Sequence, residues 1–288
     1  MPRTRPTGSE VSDAGPLGIL AGGGPLPGRV AEAAIAQGRS VFIVGFEDFA
    51  EAAVIGCYPH RFIRLAAAGA ILSELRAQGC REIVLIGPVR RPSLRDLRPD
   101  AEGARILARI GRALFSGDDG LLAALVRVFG EEGFVVRGAD AFLRDRLGGI
   151  GAQGRVTPDA LALDDITYGA RVVRALGELD IGQGCVVQSG IVLAVEALEG
   201  TDRMLERAAS LRQPGPGGVL VKLCKPGQER RADMPTLGPR SVVHASGAGL
   251  RGIAYEAGGT LFTDPAAMVD EADRAGLFLY GIGPPSGS

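Results

Sequence analysis

Leu17-Gly-Ile-Leu-Ala-Gly-Gly-Gly-Pro-Leu-Pro27 decides the fold. A short apolar run suits a buried strand, Gly22, Gly23 and Gly24 a tight turn, and Pro27 to Gln37 a helix with Val30, Ala34 and Ile35 along one face. Ser40-Val-Phe-Ile-Val-Gly45 reads as the next buried strand. Phe62 to Leu65, a helix from Ala68 to Gln78 closed by Gly79, and a strand at Glu82-Ile-Val-Leu-Ile86 follow. Strand, helix, strand at this pace implies parallel βαβ units with right-handed crossovers. The reading is a two-domain α/β protein whose N-terminal domain, residues 17–147, is a Rossmann-like parallel sheet behind a tail at 1–16.

From Arg90 to Asp119 the pattern changes to prolines and charges, before a helix from Leu121 to Glu131 and a short strand at Phe134-Val-Val136. Gly148-Gly-Ile-Gly-Ala-Gln-Gly154 has four glycines and no periodicity, so 148–156 reads as the linker. Thr157-Pro158 suits an N-cap with proline at the first helical position, ahead of a helix from Leu161 to Leu179. The C-terminal domain, 157–282, has apolar strands expected at 185–187, 191–195, 218–221, 242–243, 261–262 and 277–279. Its helices are expected at 201–211, 248–257 and 265–275, and a short tail at 283–288 completes the chain.

Composition is that of an ordinary folded protein: 288 residues, 46% hydrophobic and 23% charged. A net charge of −1 argues against a general nucleic-acid binder, so any phosphate binding is local. Cys57, Cys80, Cys185 and Cys224 show no CxxC spacing, which points to free thiols in a reduced, cytoplasmic compartment. No apolar run reaches the length of a transmembrane helix, and the first residues have no apolar signal region.

Chemistry concentrates in Lys222-Leu-Cys-Lys-Pro-Gly-Gln-Glu-Arg-Arg-Ala-Asp-Met-Pro-Thr236, directly after an apolar run. Lys222, Lys225, Arg230 and Arg231 suit phosphate oxygens, whereas Glu229 and Asp233 suit a hard cation such as Mg²⁺. A solvated loop is the bland alternative. Other candidates carry two readings each. Gly22 to Gly24 is either a tight turn or a loop that lets phosphate approach backbone N–H groups. Gly87-Pro-Val-Arg-Arg91 lies beyond the carboxyl end of a strand, where Arg90 and Arg91 would meet either nucleotide or solvent. Asp118 or Asp119 is a helix N-cap or a metal ligand, and Thr201 or Asp202 a cap or a phosphate or sugar contact. Asp180-Ile-Gly-Gln183 reads as a glycine C-cap, with Gln183 offering an amide to a uracil edge. His60 and His244 fit no metal or triad spacing.

Four stretches, Gly18 to Pro27, Asp180 to Gln188, Gly190 to Leu205 and Lys225-Pro-Gly-Gln228, resemble the UDP-2,3-diacylglucosamine pyrophosphatases of lipid A biosynthesis, of the two-domain type distinct from the calcineurin-like one. The resemblance runs from about residue 17 to 281. It implies Mg²⁺-dependent hydrolysis of UDP-2,3-diacylglucosamine to UMP and 2,3-diacylglucosamine 1-phosphate (lipid X), with water attacking the sugar-side phosphorus and the site between the two domains. By that resemblance Asp233 is the essential catalytic carboxylate and a metal ligand, with Glu229 and Asp118 as further ligands. Gly22, Gly23, Gly24, Gly87, Pro88, Arg90, Arg91, Gln183, Thr201, Asp202, Lys222, Lys225 and Gln228 are its expected substrate contacts. Glu229 and Met234 depart mildly from the family pattern of Asp and an aliphatic residue. Peripheral contact with the inner membrane surface and a homodimer are further expectations. A sugar-nucleotide transferase using the glycine loop, or a sugar-nucleotide sensor without turnover, are the alternatives.

Overall fold

The computed structural model describes residues 15–90, 99–111 and 118–283. They fall into two compact units, one drawn from within 1–111 and 125–142, the other from within 112–124 and 143–288. Residues 118–124 and 143–147 group with the second unit.

In the first unit, β1 (Leu17–Ala21), β2 (Val41–Phe46), β3 (His60–Ile63), β4 (Glu82–Ile86) and β5 (Val135–Val136) form an all-parallel sheet in the order β3-β2-β1-β4-β5. Every residue of β1 and β2 is buried, as the unbroken apolar runs require of central parallel strands. The crossovers are α1 (Leu26–Ala36), α2 (Ala52–Ile55) and α3 (Ala68–Ala77). α4 (Ala101–Ile110) follows in the same unit, whereas α5 (Asp118–Glu131) is divided, its residues 118–124 grouping with the second unit and the rest with the first. α4 lies where only prolines and charges were legible; Asp100 launches it by accepting from Gly103 N.

The second unit is built on a six-stranded mixed sheet, in the order β6-β13-β11-β9-β7-β8. Its strands are β6 (Gly151–Gln153), β7 (Gly184–Gln188), β8 (Ile191–Val195), β9 (Val219–Lys222), β11 (Gly252–Glu256) and β13 (Phe278–Ile282). β9, β11 and β13 are parallel, and antiparallel strands flank them on both sides. β10 (Thr236–Leu237) and β12 (Leu261–Phe262) make a separate two-stranded ladder. The glycine-rich stretch read as a linker therefore contains an edge strand, β6, paired with β13.

Alternation along these strands sends side chains to two cores. Cys185, Val187, Val219, Val221 and Phe278 meet Ala162, Ile166, Ala170 and Val173 of α6 (Ala160–Glu178). Val186, Leu220, Ile253, Tyr255 and Leu279 face the opposite layer, α7 (Gly200–Ala209), α8 (Pro239–Gly247) and α9 (Pro265–Ala275). Asp159, not Thr157, caps α6, its carboxylate accepting from Ala162 N at 2.8 Å.

Two expected elements change type. Val242-Val243 belongs to α8, which Pro239 starts; Val242 and Ala245 point inward while Val243 is exposed, a helical pattern. Residues 252–256, expected inside a helix, form β11 between β9 and β13, because Gly249 at φ +69° ends the preceding helix and the apolar run then threads the sheet centre.

Asp165 fastens α6 to the β7–β8 turn. It is 1% exposed and accepts from Ser189 N at 3.0 Å and Gly190 N at 2.7 Å. Both turn residues have positive φ, the geometry of a two-residue hairpin matched to strand twist. Asp165→Ala strands both amides, so chemical denaturation should show a loss of about 2–3 kcal/mol, with Asp165→Asn losing less.

Candidate functional site

Lys222 is the last residue of β9 and only 5% exposed. A lysine there must have its charge answered. Glu196, just after β8, lies 3.3 Å from its Nζ, and Thr201 Oγ1 lies at 2.5 Å. The Thr201 hydroxyl in turn donates to Glu196 Oε1 at 2.7 Å. Gly182 and Gly184 make room for this trio. A methyl group on Gly184 would come within 2.6 Å of Glu196 Oε2, and one on Gly182 would collide with the Glu196 carbonyl. The Gly-Gln-Gly motif is thus a packing requirement of a buried ion pair. Lys222 and Thr201, expected as substrate contacts, are engaged with Glu196.

Lys225 occupies a second cluster. Its Nζ donates to Asp180 Oδ1 at 2.6 Å and lies 2.9 Å from Asp119 Oδ2. Burial opposes its positive charge, but the bonds to Asp180 and Asp119 outweigh that and hold its pKa above the ordinary lysine value. Asp180 reaches it from just beyond α6 with a left-handed backbone, φ 53°, where glycine had been expected as the cap residue. Burial raises the Asp119 carboxyl above the usual range; Lys225 counters this, while the charges of Asp180 and Asp233 add to it.

Gln228, 8% exposed, links Lys225 to Asp233. Its Oε1 accepts from Lys225 N at 2.9 Å and its Nε2 donates to Asp233 Oδ2 at 2.8 Å. A primary amide satisfied at both ends fixes its own orientation, and so fixes the carboxylate it holds. The Lys-Pro-Gly-Gln motif and Asp233 therefore form one hydrogen-bonded unit.

The remaining candidates separate. Glu229 is paired with Arg231 at 2.6 Å, and that hydrogen bonding holds its carboxyl below the usual range. Arg230 pairs with Glu256. Asp202 lies against Arg240 and His244 of α8, and α7 starts without a side-chain cap from Thr201 or Asp202. Gln183 has its Oε1 buried with no hydrogen-bond partner among the described residues. Of the aspartate pair it is Asp119 that meets Lys225; the side chain of Asp118 and the whole of Arg91 lie outside the described residues.

In the first unit, Gly22 to Gly24 and Gly87-Pro88 do come together, at the ends of β1 and β4 where the sheet order reverses. The glycine amides are already spent. Gly22 N donates to Ile86 O, Gly23 N to Pro88 O and Gly24 N to Glu51 Oε1. A methyl group on Gly22 would collide with the Gly87 carbonyl, so close backbone approach is what the glycine serves. A phosphate cradle of free amides, the basis of the transferase alternative, is absent from this turn. Arg90 is exposed at the end of the same loop.

No three His, Cys, Asp or Glu side chains among the described residues form a ready metal cage. Mg²⁺ does not need one, since it keeps waters and binds through one or two carboxylates plus substrate phosphate. Asp119 Oδ1 is buried without a hydrogen-bond partner among the described residues, and Asp233 is close enough to perturb it. Hard oxygen donors with one buried lone oxygen fit Mg²⁺ chemically.

Family models match both parts of the chain: the LpxI N-terminal domain over residues 16–146 and the LpxI C-terminal domain over 149–280. The chain is 40% identical over 274 residues to the UDP-2,3-diacylglucosamine pyrophosphatase LpxI of Caulobacter vibrioides, covering 93% of this chain and 98% of that protein. Among solved structures, the Bordetella bronchiseptica enzyme WbmG, crystallised with NAD and UDP, aligns over 94% of this chain and 97% of its own at 13% identity. Its TM-score of 0.28 carries no argument.

Removing the lysine charge tests the second cluster. In Lys225→Met, Asp119 and Asp180 face each other uncompensated, so the Asp119 carboxyl should titrate higher still, visible by carbon-13 NMR. A folded pKa above the unfolded one means that the folded state binds the extra proton. The variant's destabilisation should therefore be full above the raised pKa and ease as pH falls from there toward the unfolded aspartate value.

Proposed function

The chain belongs to the LpxI family, and from that premise we propose that it is a UDP-2,3-diacylglucosamine pyrophosphatase of lipid A biosynthesis, of the type unrelated to the calcineurin-like enzymes. The products are UMP and 2,3-diacylglucosamine 1-phosphate, and the reaction depends on Mg²⁺. Among the described residues no helix is long and apolar enough to cross a membrane.

The observation that carries this reading is the charge balance around β9. Asp119, Asp180, Asp233 and Glu196 stand against Lys222 and Lys225, and Lys222 is already matched by Glu196. A site with that surplus of carboxylate repels a pyrophosphate unless a cation accompanies it. Asp119 and Asp233 are the residues that would hold Mg²⁺, which supplies charge withdrawal from the pyrophosphate oxygens.

Asp233, oriented by Gln228, takes a proton from water as the water oxygen bonds to the sugar-side phosphorus. The bond from that phosphorus to the bridging oxygen breaks, and UMP leaves with that oxygen. Lys225 offsets charge while Asp119 and Asp180 hold it in place.

UMP release from UDP-2,3-diacylglucosamine, with Mg²⁺ or with EDTA, tests the proposal. Wild type should need the metal, and Asp233→Asn should lose on the order of a thousandfold in kcat while still binding substrate. Near-normal turnover by Asp233→Asn would remove Asp233 from the mechanism, and no turnover by folded wild type would end the hydrolase reading.

A further inference from the structure

Three loops of the first unit converge at the carboxyl ends of β1, β2 and β4. A methyl group on Gly22 would come within 2.4 Å of the Gly87 carbonyl oxygen, one on Gly23 within 3.1 Å of the Phe49 carbonyl oxygen, and one on Gly28 within 3.0 Å of Val54 Cγ1. Sheet order reverses between β1 and β4, and in open α/β sheets ligands settle in the crevice at such a reversal. The glycine turn there is nevertheless a poor seat for phosphate. Gly22 N and Gly23 N are bonded to backbone carbonyls, and the partner of Gly24 N is itself an anion, the Glu51 carboxylate.

Glu51 reaches that turn from a fixed base. Phe49 N and Ala50 N both donate to Phe46 O, closing the bend after β2, and Asp48 holds a left-handed backbone within it at φ 68°. The Glu51 carbonyl accepts from Val54 N and Ile55 N at the start of α2, yet its side chain does not cap that helix. The carboxylate crosses instead to Gly24 N, which donates to Oε1 at 3.0 Å. Oε2 has no hydrogen-bond partner among the described residues, and Glu51 is exposed. Glu47 and Asp48 in the same loop are exposed as well, so this side of the crevice is acidic. An ionised carboxylate only accepts hydrogen bonds. Anchored by one oxygen and open at the other, it repels phosphate and selects a neutral donor. Within a uridine nucleotide the base offers a single N–H, whereas the ribose offers two adjacent hydroxyls.

We propose that Glu51 accepts the ribose hydroxyls of the uridine nucleotide while Gly24 N holds its other oxygen in place, so that the turn after β1 recognises sugar and not phosphate. The identity of the nucleotide rests on the hydrolase reading above. The choice of hydroxyl over phosphate rests on the carboxylate itself, since amides already bonded and an anion at the third leave nothing to hold a phosphate oxygen.

The test is titration calorimetry of the full-length protein with UMP and with 2′,3′-dideoxy-UMP, which lacks both hydroxyls. Wild type, Glu51→Gln, Glu51→Ala and Glu47→Gln are compared, and UMP release from UDP-2,3-diacylglucosamine is followed in parallel. Wild type should bind UMP about tenfold or more tighter than the dideoxy nucleotide, the worth of a hydrogen bond to a charged acceptor. In Glu51→Ala the two nucleotides should bind equally, and in Glu51→Gln the preference should shrink severalfold, because an amide is the weaker acceptor. Affinity for the dideoxy nucleotide should stay at the wild-type value in both. A damaged fold would weaken both nucleotides together, so the ratio separates a ribose contact from a structural role. Glu47→Gln should keep the wild-type ratio. Equal binding of the two nucleotides by wild type, a preference that survives in Glu51→Ala, or one lost in Glu47→Gln overturns the proposal. Turnover of the lipid substrate without any ribose preference would remove Glu51 and leave the hydrolase reading standing. A preference lost in Glu51→Ala, with no UMP released by folded wild type, would uphold Glu51 and remove the hydrolase reading instead.

Discussion

One largely buried ammonium, that of Lys225, holds the candidate site together. Lys225 ties three segments that lie far apart in sequence: the start of α5 through Asp119, the residue after α6 through Asp180, and its own loop after β9. Ion pairs of this kind are not strong sources of stability, because desolvation consumes much of the Coulombic gain. They are strong constraints nonetheless, since removing one partner leaves a buried charge unanswered. The left-handed backbone of Asp180, an uncommon conformation for a side-chain-bearing residue, is sustained in a loop whose carboxylate is bonded in this way.

The second ion pair, Lys222 with Glu196, works by exclusion. Gly182 and Gly184 carry no Cβ because Glu196 fills the space one would need, and Thr201 closes the trio with its hydroxyl. With one lysine spent on Glu196 and the other shared by two aspartates, the basic character of the Lys222 to Thr236 segment is largely internal. The surface presented to a ligand is thus less positive than a count of lysines and arginines suggests. Arg230 and Arg231, paired with Glu256 and Glu229, follow the same rule.

Asp233 depends on these constraints at one remove. Gln228 can present its amide N–H to Asp233 only while its carbonyl receives the Lys225 backbone N–H. The four residues of Lys225-Pro-Gly-Gln228 are therefore a bracket for a carboxylate five positions further on. A tight turn at Gly227, with φ +77°, lets the bracket close.

The sequence by itself determined what is local. Apolar runs became β1, β2, β4, β7, β8 and β9, and four of these, β1, β2, β7 and β9, are buried along their whole length, which demands unbroken hydrophobicity. Helices with one apolar stripe, such as α6 and α9, were equally legible. The tertiary structure decided whatever depends on partners remote in the chain. Val242-Val243 turned helical and residues 252–256 extended because short apolar runs suit either form until a sheet or a helix layer claims them. The glycine turn after β1 lost its free amides to Ile86, Pro88 and Glu51, partners that no spacing rule reveals. Asp119 and Asp180 became companions of Lys225 for the same reason: a charge buried by folding takes the nearest opposite charge in space, and sequence distance carries no trace of that choice.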